Sequence, residues 1–266
     1  MTPTRSCETE TVTLRRLQKW HGAGNDFLVE VLEPGQGEWW TPTRVRALCR
    51  RTTGVGADGL LIATLSNPVT MTLFNADGSL AEMSGNGIRC LAAAIRRSTA
   101  SDFETLEVAT AAGTKTVSLT MAGDAGTGSV AMGRATFDDD LEGALGVVDV
   151  GNPHVVMSDE ASWSDAQREE LAAKLAAQVG GANVEFLTVL AKDRLSIRVI
   201  ERGVGWTEAC GTGSVAVAAL ARRDGLTGDE VTVVNPGGEL QVSFDGDEAT
   251  LRGPMQFVAD VEWLEA

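Results

Sequence analysis

Residues 82–95 read EMSGNGIRCLAAAI, and residues 208–221 read EACGTGSVAVAALA. The offset is 126 residues (210 − 84 = 126). Each copy runs Glu, a bridging residue, a small nucleophilic residue, Gly, a polar residue, Gly, and then an apolar helical stretch. Ser84 stands in the first copy where Cys210 stands in the second. The likeness extends outward: LFNADGSLAEMSGNG aligns without a gap on VIERGVGWTEACGTG, with Asn75 opposite Glu201 and Glu82 opposite Glu208. Each half therefore supplies a strand, a loop, a Gly-x-Gly turn and a helix. This predicts an α+β fold of two pseudo-twofold-related domains, mixed or antiparallel sheet wrapped on a central helix. A ligand site is expected in the cleft between them, since ligands favour domain interfaces. The expected division is 13–128 plus a returning C-terminal strand, 255–266, for the first domain and 129–254 for the second.

The length of 266 residues suits two such domains. Aromatics are 5% and Tyr is absent, so the core is expected to be Val, Leu and Ala. A net charge of −15 argues against a nucleic-acid or anionic-membrane partner. No apolar run approaches the roughly 20 residues of a membrane span. The opening MTPTRSCETETVT has no apolar core of a secretory signal and reads as a loose extension over residues 1–12. Cys7, Cys49, Cys90 and Cys210 are scattered without a CxxC pair, so neither a zinc site nor a disulfide framework is expected. Reduced thiols fit a cytoplasmic protein.

Strands are expected on both sides of a glycine-containing bend in RRLQKWHGAGNDFLVEVL, in GLLIATL and VTMTLFN, and in VEFLTVLA and RLSIRVIE. Hairpins are expected around AAGT, residues 111–114, and Pro236-Gly237-Gly238. Thr41 caps a helix with Pro42 at its first position and Gly54 as its stop. Ser164 and Gln167 form a capping box, with Leu171 and Leu175 on one helical face and Gly180 at the end. GSVAMGRATF opens the second half.

A Ser or Cys at a helix start, flanked by Gly, faces unsatisfied backbone N–H groups that attract an anion. The same environment lowers a thiol's pKa. Two such ends facing one another can hold a carboxylate on backbone donors. One side chain then reaches each face of the adjacent carbon, to take a proton on one side and return one on the other. No metal or cofactor is needed if the carbanion is stabilised electrostatically. A single Gly-x-Gly is usually only a tight turn, and SVAVAALA would also suit plain close packing. The gapless repeat with a nucleophile in register favours function.

The motifs HGAGNDF at 21–27, GVGADGLL at 54–61, FNADGSLAEMSGNG at 74–87, GNPHVV at 151–156, GANVEF at 181–186 and ERGVGWTEACGTG at 201–213 resemble those of diaminopimelate epimerases. The resemblance runs from His21 to the C-terminus, and the HGxGNDF opening separates it from proline racemases and hydroxyproline epimerases. It implies a cofactor-independent isomerase that inverts one α-carbon of diaminopimelate, LL to meso, for lysine and cell-wall precursor synthesis. It implies a small amino-acid substrate, no metal and a homodimer. Asn25, Asn75, Asn152 and Asn183 would bind the substrate's amino-acid groups, and Glu201 and Arg202 would hold an ammonium and a carboxylate. Gly85-Asn86 and Gly211-Thr212 would give backbone donors to the reacting carboxylate. Cys210 as a thiolate would take the α-proton, with His154 and Glu201 orienting the acid–base pair. Cys49 and Cys90 are expected to be core thiols.

The family's first catalytic cysteine falls on Ser84, and a hydroxyl is a far poorer base than a thiol without an activating partner. Three readings follow. Ser84 is functional, directly or through water, in a slower epimerase. Ser84 is a substitution that traps substrate or prevents a disulfide between positions 84 and 210. Or the chain is a one-base relative suited to α-proton exchange, elimination or another racemisation. Loss of catalysis with retained binding is disfavoured, since a binder has no use for Cys210.

Overall fold

The computed structural model describes residues 13–36, 39–138 and 140–265. Cys7 and the extension expected over 1–12 lie outside the described residues. The first half begins with β1 (Thr13–Gly22) and β2 (Asn25–Leu32), joined at Ala23 and Gly24, both with positive φ. Then come α1 (Pro42–Cys49), β3 (Gly59–Thr64), β4 (Val69–Asn75), β5 (Leu80–Ala81) and α2 (Gly85–Thr99). β6 (Thr105–Thr110), β7 (Gly113–Ala122), β8 (Ala125–Arg134) and β9 (Thr136–Asp138) close this half. The second half repeats the order. It comprises β10 (Gly146–Asp149), β11 (Pro153–Ser158), α3 (Asp165–Gln178), β12 (Asn183–Ala191), β13 (Arg194–Glu201), β14 (Gly205–Thr207), α4 (Gly211–Arg223), β15 (Glu230–Asn235), β16 (Gly238–Asp245) and β17 (Glu248–Glu265).

The pairing repeats too. β2 runs parallel to β3, β3 antiparallel to β4, and β4 parallel to β6. In the second half β11 runs parallel to β12, β12 antiparallel to β13, and β13 parallel to β15. The α+β class and the internal twofold expected from the sequence are both present. The halves are stitched by their last strands. β17 pairs with β16 and β8 and then runs on along β1, from Gln256 opposite His21 to Glu265 opposite Thr13. β9 makes the matching reach to β10. β8 and β17 cross both expected division points without a break, with Gly128 opposite Gly253.

Each half carries its own buried helix. Every residue of α2 from Gly85 to Ile95, and of α4 from Gly211 to Ala221, is buried. Ala-rich helices with apolar residues on every side can be enclosed by sheet without a polar face left stranded. α1 and α3 lie outside the sheet on smaller apolar clusters. α3 has the expected capping box at Ser164 and Gln167, and buries Leu175. One helix end differs from expectation. α1 stops at Cys49, because Arg50 turns to extended backbone (φ −62°, ψ 125°), five residues after Pro42's first full turn has closed. Gly54 instead folds back beneath that end, donating its N–H to the Arg50 carbonyl at 2.9 Å, where a Cβ would overlap the Ala47 carbonyl.

Candidate active site

Ser84 and Cys210 cap α2 and α4 in the same way. Both have extended backbone, with φ −136° and −115°. Ser84 Oγ accepts from the Gly87 N–H at 3.0 Å, and Cys210 Sγ from the Gly213 N–H at 3.3 Å. The N–H groups of the first two helical residues, Gly85 and Asn86 or Gly211 and Thr212, have no helical partner upstream. The two helix starts touch. A Cβ on Gly85 would lie 3.3 Å from the Gly211 Cα, and one on Gly211 would lie 3.0 Å from the Gly85 Cα. Only glycine lets the backbones meet this closely, and the meeting sets two positive helix ends side by side.

They open into a cavity of about 360 Å³. Its wall includes Asn25, Asn75, Ser84, Gly85, Asn152, Asn183, Glu201, Arg202, Cys210, Gly211 and Thr212, so the structure brings these expected site residues together. Asn86 and His154 stand behind the wall, both fully buried. The Asn86 side chain donates to Asn25 Oδ1 at 3.3 Å and to the Ala209 carbonyl at 3.1 Å, tying one turn to the other. The Asn183 amide oxygen accepts from the Arg202 N–H at 2.9 Å. At the rim, Arg202 meets Glu82 at 3.5 Å, an ion pair between the halves.

Asp58, Asp77 and Glu82 line the cavity from the first half, and a buried set of titratable groups lies beside Cys210. His154 Nδ1 lies 2.6 Å from Glu185 Oε1, and its Nε2 lies 3.1 Å from Asn152 Oδ1. Ligand atoms of His154, Glu185 and Cys210 lie within 4.8 Å of one another. Among the described residues they are the group that could hold a metal ion; the His154–Glu185 contact takes up Nδ1 and Oε1, while Glu185 Oε2 is buried without a hydrogen-bond partner. Glu201 accepts from the Thr207 hydroxyl at 2.6 Å. Burial and the nearby Glu185 push its carboxyl up to about 7, against the pull of that hydrogen bond.

Burial, Glu201 and Glu185 also drive the Cys210 thiol well above its ordinary value. This corrects the expectation of a thiolate at rest. The helix end does contribute a Gly213 N–H, but desolvation and two carboxylates outweigh it. Ser84 Oγ has no side-chain acceptor within hydrogen-bond distance among the described residues, so its hydroxyl has no activating base at rest. Cys49 and Cys90 are core thiols as expected, each pushed by burial to about 12.

The diaminopimelate epimerase family model matches residues 17–137 and 146–258, nearly the whole of both halves. The chain belongs to the diaminopimelate epimerase family. It is 38% identical over 274 aligned positions to a diaminopimelate epimerase of Rhodococcus opacus, covering 91% of this chain and 94% of that protein. It is 37% identical to a diaminopimelate epimerase of Streptomyces coelicolor, with 93% and 96% covered. Among solved structures, a hydroxyproline epimerase from Agrobacterium vitis shares the fold with a TM-score of 0.76 at 12% identity, covering 94% and 92% of the two chains. Membership makes the chain an isomerase of the epimerase type.

Two site residues escaped the sequence reading although their motifs were in view. Glu185 lies two residues after Asn183 on β12, and residues two apart share a strand face. That alternation was the available signal. Asp58, in GVGADGLL, accepts from Asn25 Nδ2 at 2.7 Å and from Arg51 at 2.7 Å. It orients Asn25 from behind, a contact made only by folding.

Proposed function

We propose that this chain epimerises diaminopimelate at one α-carbon, LL to meso, by proton transfer between opposite faces. The observation that carries this is the pair of abutting helix starts, one capped by Ser84 and the other by Cys210, in a single cavity. The reacting carboxylate would lie on the free N–H groups of both turns. The negative charge that develops as the α-proton leaves is then met by oriented dipoles needing no rearrangement. Cys210 works the face on its side. Its thiol must first lose a proton, and Glu201, titrating near 7, is suited to accept one at neutral pH. Ser84 serves the other face as a proton donor, its alkoxide being reprotonated by water. Arg202 would exchange Glu82 for a substrate carboxylate, and the Asn25, Asn75, Asn152 and Asn183 amides would bind the remaining polar groups.

A second reading rests on the unactivated Ser84 hydroxyl: Cys210 alone would then exchange the α-proton with retention. Incubation with pure LL-diaminopimelate in D2O separates the two. Deuterium uptake with meso product supports the two-sided mechanism. Uptake without inversion supports the one-sided one, and no uptake refutes both. We expect Ser84→Cys to raise the inversion rate on the order of 100-fold, the usual worth of a well-matched acid–base group, read by chiral chromatography.

We further propose that the units 13–128 with 255–266 and 129–254 close on one another over substrate, that the protein works in the cytoplasm, and that it is a homodimer. No helix of the described residues is long and apolar enough to cross a membrane. Sedimentation velocity tests the dimer: a species at the monomer mass of 27.9 kDa would contradict it.

A further inference from the structure

Arg89 has no part in the chemistry above, yet it is wholly buried on α2, one turn below Gly85. Its Nη1 donates to the Gly85 carbonyl at 2.9 Å and its Nη2 to Asn86 Oδ1 at 2.7 Å. Nε has no partner. No carboxylate pairs with it among the described residues. Desolvation pulls its pKa down to about 10, which still leaves it charged at neutral pH. An interior charge without a counter-ion is costly and needs a compensating purpose.

Room is cut for it. A Cβ on Gly253 would lie 2.6 Å from Nη2, one on Gly128 would lie 3.0 Å from Cδ, and one on Gly22 would lie 3.3 Å from Nη2. Gly128 and Gly253 face each other on β8 and β17, where the two halves cross. Arg89 therefore lies where the two halves meet. The matching residue of the second helix (89 + 126 = 215) is Val215, also fully buried. The first helix thus places a guanidinium at the junction and the second does not, so the repeat is broken here.

We propose that Arg89 is a positioning residue for the reaction. By holding the Asn86 amide oxygen it directs the Asn86 NH2 onto Asn25 and Ala209, and so locks the Ser84 turn against the Cys210 turn. It also sets a fixed positive charge behind both helix starts. The missing counter-charge is the one the reacting carboxylate gains as the α-proton leaves. The inference rests on the epimerase reading. Because the additional negative charge it meets develops only as the proton leaves, its effect falls mainly on kcat rather than KM.

The test compares Arg89→Lys and Arg89→Met with the unmodified protein in kcat, KM, α-deuterium uptake from LL-diaminopimelate, and circular dichroism. We expect folded Arg89→Met to lose about 30-fold or more in kcat with KM within about threefold, and Arg89→Lys to recover most of that loss. A folded Arg89→Met with unchanged kcat, a loss confined to KM, or equal losses in both variants overturns the proposal. Should Arg89→Met not fold, Gly128→Ala decides. Its methyl presses on the Arg89 stem and leaves the charge, so a lower kcat at constant KM supports the role and an unchanged kcat overturns it. No uptake by the unmodified protein overturns the epimerase reading and this inference together. Uptake undiminished in Arg89→Met overturns the inference alone.

Discussion

Glu201 binds its proton with a pKa of about 7 in the folded protein, against an ordinary 4.5. Between these values the native state holds a proton that the unfolded chain releases. The stability this group contributes is therefore complete below pH 4.5 and is lost as pH rises through 7. Glu201→Gln should be more stable than the parent by about 1–3 kcal/mol at pH 8, and indistinguishable from it at pH 4. Urea midpoints at the two pH values measure the difference. Thr207 works in the opposite direction, since its hydroxyl stabilises the Glu201 carboxylate. Thr207→Val should move the ascending limb of the deuterium-uptake profile to higher pH. An unmoved limb would mean that Glu201 does not govern proton transfer. Ser84 and Cys210 show how one atom separates two equal caps: the backbone bond is the same, but a thiol gives up its proton more readily than a hydroxyl in the same place.

α2 and α4 combine burial with abutting N-termini, and the two demands favour different residues. Ala and Leu suit the enclosed body of each helix, while the starts require glycine. On Gly211 a methyl would stand 3.0 Å from both the Gly85 Cα and Leu251 Cδ2. Gly211→Ala must separate the helix starts, and we expect it to cost about 1–3 kcal/mol by overpacking, with a parallel loss of turnover. α3 provides the contrast. It lies outside the sheet, and its Ser164 cap touches no site residue. Ser164→Ala should cost about 1 kcal/mol in urea unfolding and leave turnover unchanged. A turnover loss there would show that α3 participates in catalysis.

The halves share long strands, and at the cleft they meet through the Gly85 and Gly211 backbones and, at the rim, through side chains. Glu82 and Arg202 join across its rim, both about half exposed (50% and 48%). Exposed pairs are worth about 0.2–1 kcal/mol, so the contact holds the rim lightly and yields to a substrate carboxylate. Glu82→Gln removes a competitor for Arg202 and should lower KM about two- to threefold, with kcat little changed. A raised KM would mean that Glu82 binds substrate. The net charge of −15 opposes an anionic partner over the whole surface, whereas the site itself answers to two helix ends and Arg202.

The repeat of 126 residues was enough to read two matched halves, a Gly-x-Gly turn before a buried helix in each, and Ser84 facing Cys210. Those features depend on local spacing, which a linear chain displays. Asn25, Asn75, Asn152, Asn183 and Arg202 came only from the resemblance of their motifs to the family's, since an Asn in a loop is otherwise a turn former and an Arg a solvated charge. The protonation of Cys210 was not readable. A helix start alone lowers a thiol's pKa, and only the fold brings Glu185 and Glu201 near enough, in a dry enough place, to reverse the sign. Glu185 and Asp58 act by contacts across strands and loops far apart in the chain; alternation from Asn183 was the one local signal for Glu185, and Asp58 had none. Arg89 was not singled out in the sequence, where it is one charge in an apolar helical stretch. Its burial among Gly22, Gly128 and Gly253 exists only where β8 and β17 pair, because a space at the junction is made by both halves at once.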